Sequence, residues 1–293
     1  MGTTDFIMTF FAILISLLLD RFALEQETYR SGRWFDGYRN WLKEKLPDHP
    51  LAILLVPVAP LVAIGWFQSV FDSGLSALVY SSIVLLFCLG PLDLDRQVNR
   101  VIDELETDAE HESETLSAML GSETVASAPD TGIRLAGKIL TEAYNRLFGV
   151  IFWFILLGPL GAALYRIAHH LNSNAHESET VEETNDVIAQ LCYLLDWLPA
   201  RMTALLYAVS GSFEDALHGW QASADIADHR LEANKRILSG AGLGALRVGE
   251  EYEEQGSPLS TAVLAETALG LVWRASLVLI GLLALGYLVY WIG

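Results

Sequence analysis

Basic residues are scarce in this chain. Eighteen Lys and Arg stand against 36 Asp and Glu, a formal net charge of −18. Binding to nucleic acid needs a basic footprint, so that class is excluded. Cysteine is scarcer still. Cys88 and Cys192 are the only two, each inside an apolar stretch, which rules out a disulfide framework and says little about compartment. A secretory cleavage site is also missing, since the first apolar run ends in Leu-Leu-Leu-Asp-Arg-Phe22 with no small-residue pattern. What is plentiful is apolar sequence, 52% of the chain, in long runs divided by acidic stretches. That pattern predicts a membrane protein with sizeable polar parts.

The runs divide the chain into five blocks. Residues 1–92 hold the first membrane helices: Phe6–Leu19, Pro50–Phe71 and Ser73–Leu92 carry no Lys, Arg, Asp or Glu apart from the turn at Asp72. Inside that block, residues 25–46 place Trp34, Tyr38, Trp41 and Leu42 at helical spacing among Arg and Lys. This pattern predicts a helix lying in the membrane surface. Residues 93–146 hold twelve acidic and five basic residues and read as an acidic cytoplasmic region. Block 147–211 contains a charge-free run to Tyr165, interrupted by Gly158-Pro159, then a proline-broken membrane segment. Residues 212–266 are soluble in composition, and 267–293 form a C-terminal membrane helix closed by Tyr287, Tyr290 and Trp291. The fold class expected is all-α: a polytopic membrane helix bundle with amphipathic interfacial helices and acidic cytoplasmic loops.

The chain is organised around Leu191–Gly211. This stretch is apolar enough for a bilayer, yet it carries Asp196 and Arg201 with Pro199 between them. A charge at membrane depth costs about 2.5–3.5 kcal/mol even on the lenient insertion scale, so it needs a partner or a water-filled cavity. Pro199 removes a backbone donor and disfavours helix at Leu198, which predicts a break or kink there. Asp196, Trp197, Pro199 and Arg201 therefore read as a polar pivot in which the two charges pair. The alternative is a static kink whose charge pair serves packing or topology.

Other candidates carry less chemistry. His-Glu-Ser-Glu-Thr occurs at 111–115 and again at 176–180, beside His169 and His170. Neither copy has a recognised metal spacing, so solvated acidic loops are the expectation and no metal site is assigned. The Gly-rich piece Ser239–Gly249 lacks the Gly-Lys-Ser or Gly-Lys-Thr of a phosphate loop. It reads as a tight inter-helix turn, or as a nest of amides holding an anion beside Arg247. No catalytic nucleophile has its local context, and the residues name no cofactor.

At Leu195-Asp-Trp-Leu-Pro-Ala-Arg-Met-Thr-Ala-Leu-Leu206 the chain resembles the Asn-Trp-Ile-Pro-Ala-Arg-Leu-Thr block of the CobD/CbiB membrane proteins, which make adenosylcobinamide phosphate. Glu142 and Asn145 are similar to that family's Glu-Asn element, and Gly242–Gly249 to its Gly-Ala-Leu-Gly-Val-Arg-Leu-Gly stretch. Phe213-Glu-Asp-Ala-Leu217 and Trp220 are similar to the shorter AmpE branch. Two synthase elements differ. Gly-Arg-Asp-Thr is replaced by Leu120-Gly-Ser-Glu-Thr-Val-Ala-Ser127, and Asn-Thr-Leu-Asp-Ser-Met by Ile167-Ala-His-His-Leu171.

The resemblance implies a non-enzymatic modulator in the bacterial inner membrane, linked to β-lactamase induction and cell-wall sensing. Its partners would be the lipid bilayer and a small-molecule or protein signalling partner. The rival is a corrinoid-pathway synthase using ATP and magnesium; a third reading is a binder or transporter of a lipid or wall-derived ligand. Glu142, Asn145, Asp196, Trp197, Pro199, Arg201 and Arg247 are the ligand-binding or pivot residues under all three. Lys and Arg counts put 21–49, with six, and 93–146, with five, in the cytoplasm.

Overall fold

The computed structural model describes residues 3–22, 37, 57–71, 74–89, 93–107, 114–120, 128–177, 182–224, 232–248 and 260–292. Among them every regular element is helical and there is no strand, as the sequence led one to expect. The surface helix expected at 25–46 and most of the acidic loop at 108–127 lie outside the described residues. Two helical stretches, Thr131–Leu157 and Thr261–Val289, are long and apolar enough to cross a membrane; Ile7–Asp20, Val58–Val70 and Gly74–Cys88 are shorter apolar helices.

The chain forms two compact units, residues 1–91, 146–196 and 286–293 in the first and 92–145 and 197–285 in the second. The first is built on α1 (Thr3–Phe22), α2 (Val58–Val70), α3 (Gly74–Cys88), α7 (Gly149–Leu157), α8 (Pro159–Glu177) and the start of α9 (Glu182–Ser210). Ile13, Leu85, Ile151, Phe154 and Tyr165 are fully buried in it, each large side chain contributing about 1.5–3 kcal/mol on leaving water. Polar groups inside find partners: Ser16 Oγ donates to the Ser82 carbonyl at 3.0 Å, and the Tyr80 hydroxyl to Ile64 at 2.7 Å. The apolar run expected at 147–165 does not continue as one helix. Gly158 takes φ 67 and ψ −152, which only glycine adopts freely. Pro159 then opens α8, where its missing N–H costs nothing.

The second unit holds α4 (Asp93–Thr107), α5 (Glu114–Leu120), α6 (Ala128–Ala143), α10 (Phe213–Ala224), α11 (Ala233–Ala245), the end of α9 and most of α12 (Thr261–Ile292). α4 buries Leu94, Val98 and Val101, four and three residues apart, the stripe of an amphipathic helix. α6 buries Leu135, Ile139 and Leu140. A Tyr207 hydroxyl donates to the Leu140 carbonyl at 2.9 Å and ties α9 to α6. A short π-helical turn, Tyr144–Phe148, follows α6.

Candidate functional site

Pro199 lies inside α9, and the helix is unbroken from Glu182 to Ser210. The expected break is therefore absent, and the reason is local. Proline offers no N–H to the Leu195 carbonyl one turn back, but the Trp153 indole on α7 donates to that oxygen at 3.1 Å. A neighbouring helix has replaced the lost hydrogen bond, as apolar surroundings require. Thr203 Oγ1 donates in turn to the Pro199 carbonyl at 2.9 Å.

Asp196, the residue after Leu195, is 6% exposed. Its Oδ1 accepts from the Tyr165 hydroxyl at 3.0 Å and lies 3.1 Å from His169 Nε2. Tyr165 and His169 are one turn apart on α8, with ring centroids 4.4 Å apart. The first unit thus holds a buried carboxylate–imidazole–phenol cluster. Beneath it, Gly149 leaves room for the Tyr165 hydroxyl, which a Cβ there would strike.

Arg201 belongs to a second network. Its Nη1 donates to the Trp197 carbonyl at 2.6 Å and to Asn234 Oδ1 at 3.0 Å. The guanidinium lies 4.4 Å from the centre of the Trp197 ring, a cation–π contact. The pairing expected of Asp196 and Arg201 assumed a bent backbone, and the helix is unbroken between them.

Elsewhere in the second unit, Arg247 Nε donates to Asp215 Oδ2 at 2.9 Å, and the Ser212 hydroxyl bonds the same carboxylate. The Ser212 hydrogen bond first, then Arg247 and His218, hold the Asp215 carboxyl below the usual carboxylate range. Residues 239–245 are helical, so the Gly-rich piece is neither an inter-helix turn nor an anion loop over most of its length. Lys138 Nζ stands 3.5 Å from Glu142 Oε1. Asn145, in the π-helical turn, has a buried Oδ1 with no hydrogen-bond partner among the described residues.

Sequence reasoning missed Tyr165 and Asn234, weighed His169 only beside a metal motif, and met Asp215 only inside the family block. The i, i+4 spacing of Tyr165 and His169 was visible, but their acceptor lies 31 and 27 residues away.

A family model described as CobD/Cbib protein matches residues 13–254. The cobalamin biosynthesis protein CobD of Stutzerimonas stutzeri (strain A1501) is 28% identical over 205 residues, 69% of this chain and 66% of that protein. The protein of that name from Chromobacterium violaceum is 32% identical over 123 residues, 40% of this chain and 38% of its own length. A probable cobalamin biosynthesis protein CobD from Methanothermobacter thermautotrophicus is 24% identical over 184 residues, 59% and 60% of the two chains. The match thus spans under two thirds of each relative. No solved structure matches. These relatives, named for cobalamin biosynthesis, overturn the expectation of a non-enzymatic signalling modulator.

Proposed function

The chain belongs to the CobD/CbiB family, and from that premise we propose that it is a membrane-embedded enzyme of cobalamin biosynthesis. The reaction proposed is the one the family resemblance implies: an amide bond joins a carboxyl of the corrinoid to the amine of an amino-alcohol phosphate. The single observation carrying this reading is the family match over residues 13–254. The geometry supports it with a buried Asp196 cluster able to handle a proton and with Arg201, an anchor for carboxylate or phosphate oxygens. Asn145 Oδ1 and the Glu142 carboxylate, three residues apart, are proposed as further substrate contacts. Within the family we assign the chain to the shorter AmpE branch, on Phe213–Leu217 and Trp220.

ATP would activate the carboxyl, as the resemblance implies. Among the described residues no three His, Cys, Asp or Glu side chains gather as a metal cage. The long apolar helices Thr131–Leu157 and Thr261–Val289, with the shorter ones beside them, support residence in the bacterial inner membrane with several crossings. A strain lacking its corrinoid synthase tests the reading. Corrinoid-dependent growth on receiving this gene is the expected outcome; no rescue, with the protein present in the membrane fraction, would sink it.

A further inference from the structure

We propose that His169 is the general base of the amide-forming step, held in that role by Asp196 and Tyr165; the inference rests on the synthase reading above. Both rings leave the same face of α8, one turn apart, and converge on Asp196 Oδ1 at 3.0 and 3.1 Å. An ionised carboxylate only accepts, so the phenol and the Nε2–H are both donors. The consequence is a fixed tautomer. With the ring proton on Nε2, the lone pair sits on Nδ1, and His169 makes no other hydrogen bond among the described residues. The imidazole side chain is 15% exposed and the Asp196 side chain 8%, so the imidazole is the more accessible of the two.

Few other titratable groups surround it. α2 and α7 carry none; α3 carries Tyr80 and Cys88. α9 adds Asp186, Tyr193 and Cys192, whose thiol donates to the Ala168 carbonyl at 3.4 Å. α8 itself adds Arg166 and His170, with His176 and Glu177 at its far end.

The step balances as follows. A nucleoside triphosphate has converted the carboxyl to an acyl phosphate. The amine nitrogen attacks the acyl carbon, the C–N bond forms, and the C–O bond to phosphate breaks. Phosphate leaves with that electron pair, and the nitrogen's proton passes to His169 Nδ1. Asp196 then faces the imidazolium across the bond it already makes. Tyr165 and Asp196 are positioning residues; neither takes the proton.

The test uses the full chain in lipid nanodiscs, with a corrinoid carboxylic acid, an amino-alcohol phosphate and ATP, and reads product by mass spectrometry. His169→Gln is expected to lower kcat by about 10²–10⁴-fold, with KM nearly unchanged and the acidic limb of the kcat/KM profile lost. Tyr165→Phe keeps the ring and lowers kcat far less, with the acidic limb retained. Product from wild type, with His169→Gln showing the same kcat and the same acidic limb, overturns the base while leaving the synthase reading intact. No product from wild type overturns the synthase reading and the base with it. If the glutamine variant does not fold, His169→Ala with added imidazole decides. Rescue supports the base, and a folded variant deaf to imidazole overturns it.

Discussion

Arg247 has φ 54, a left-handed backbone that a side chain rarely adopts and that costs roughly 1–2 kcal/mol. What holds it there is visible: its backbone N–H donates to Gly244 at 2.8 Å, and its Nε to Asp215 at 2.9 Å. Asp215 lies in the first turn of α10, where a negative charge also meets the positive end of the helix dipole. The Ser212 hydroxyl, above all, keeps its carboxyl low. A carboxyl lowered on folding stabilises the protein above its unfolded value, near 3.9 for aspartate, and loses that contribution as pH falls through the folded value. Thermal unfolding of wild type and Asp215→Asn should therefore differ at pH 7. The gap should shrink only below about pH 4. A gap that is constant from pH 7 to pH 3 would count against the clasp.

At the scale of elements, α10 and α11 approach each other backbone to backbone. Ser212 N–H donates to the Ala245 carbonyl at 2.9 Å, and a Cβ on Gly219 or Gly244 would run into the carbonyl of Gly240 or Asp215. The pairs 215/244 and 219/240 run in opposite directions, so the helices are antiparallel. Gly244→Ala should cost about 1–3 kcal/mol, the usual penalty of overpacking. Gly281→Ala on α12 faces open space and should be neutral or slightly stabilising, since alanine favours helix by about 0.5–1 kcal/mol. Fluorescence-detected size exclusion after heating reads both. Equal melting of the two variants would mean that the glycines are not what brings these helices close.

The same pair marks the limit of what the sequence disclosed. The all-helical class and the Gly158-Pro159 interruption were legible, because each follows from composition or from local backbone rules. Glycines in Ser239–Gly249 were read as punctuation, whereas the fold uses them for close helix approach. Pro199 reads as a break in the sequence because the rule counts donors only within the helix, and the substitute donor, Trp153, is 42 residues away. The sequence offers Asp196 only the nearest opposite charge, whereas Tyr165 and His169, far off in the chain, also meet its carboxylate. Local rules fail where the deciding partner arrives from another helix.

On the scale of the whole molecule, the question is where so much exposed apolar surface resides. α12 exposes Leu277, Leu282, Leu285 and Val289, more than half of each in the last three and in the first, and carries no charge after Arg274. Kept in water, such a face forfeits about 25 cal/mol for every Å² left uncovered, and lipid removes that cost. α9 has the same character on one side, where Leu194, Leu198, Met202, Leu205 and Val209 are exposed at helical spacing opposite the buried Asp196. A helix that hides its carboxylate and shows its leucines leaves that face to be covered by lipid or by a protein neighbour. If α9 crosses the bilayer, the acidic stretch before α6 and the stretch between α11 and α12 lie on one side. The wider regions that hold them, 93–146 with five Lys and Arg and 210–266 with four, would make that side the cytoplasm. Single cysteines introduced as Ser122→Cys and Ser257→Cys test this, because native Cys88 and Cys192 are buried. A membrane-impermeant thiol reagent should label both in inverted vesicles and neither in intact spheroplasts. Labelling of Ser257→Cys from the outside alone would mean that α9 re-enters without crossing, and its leucine face would then need a protein neighbour.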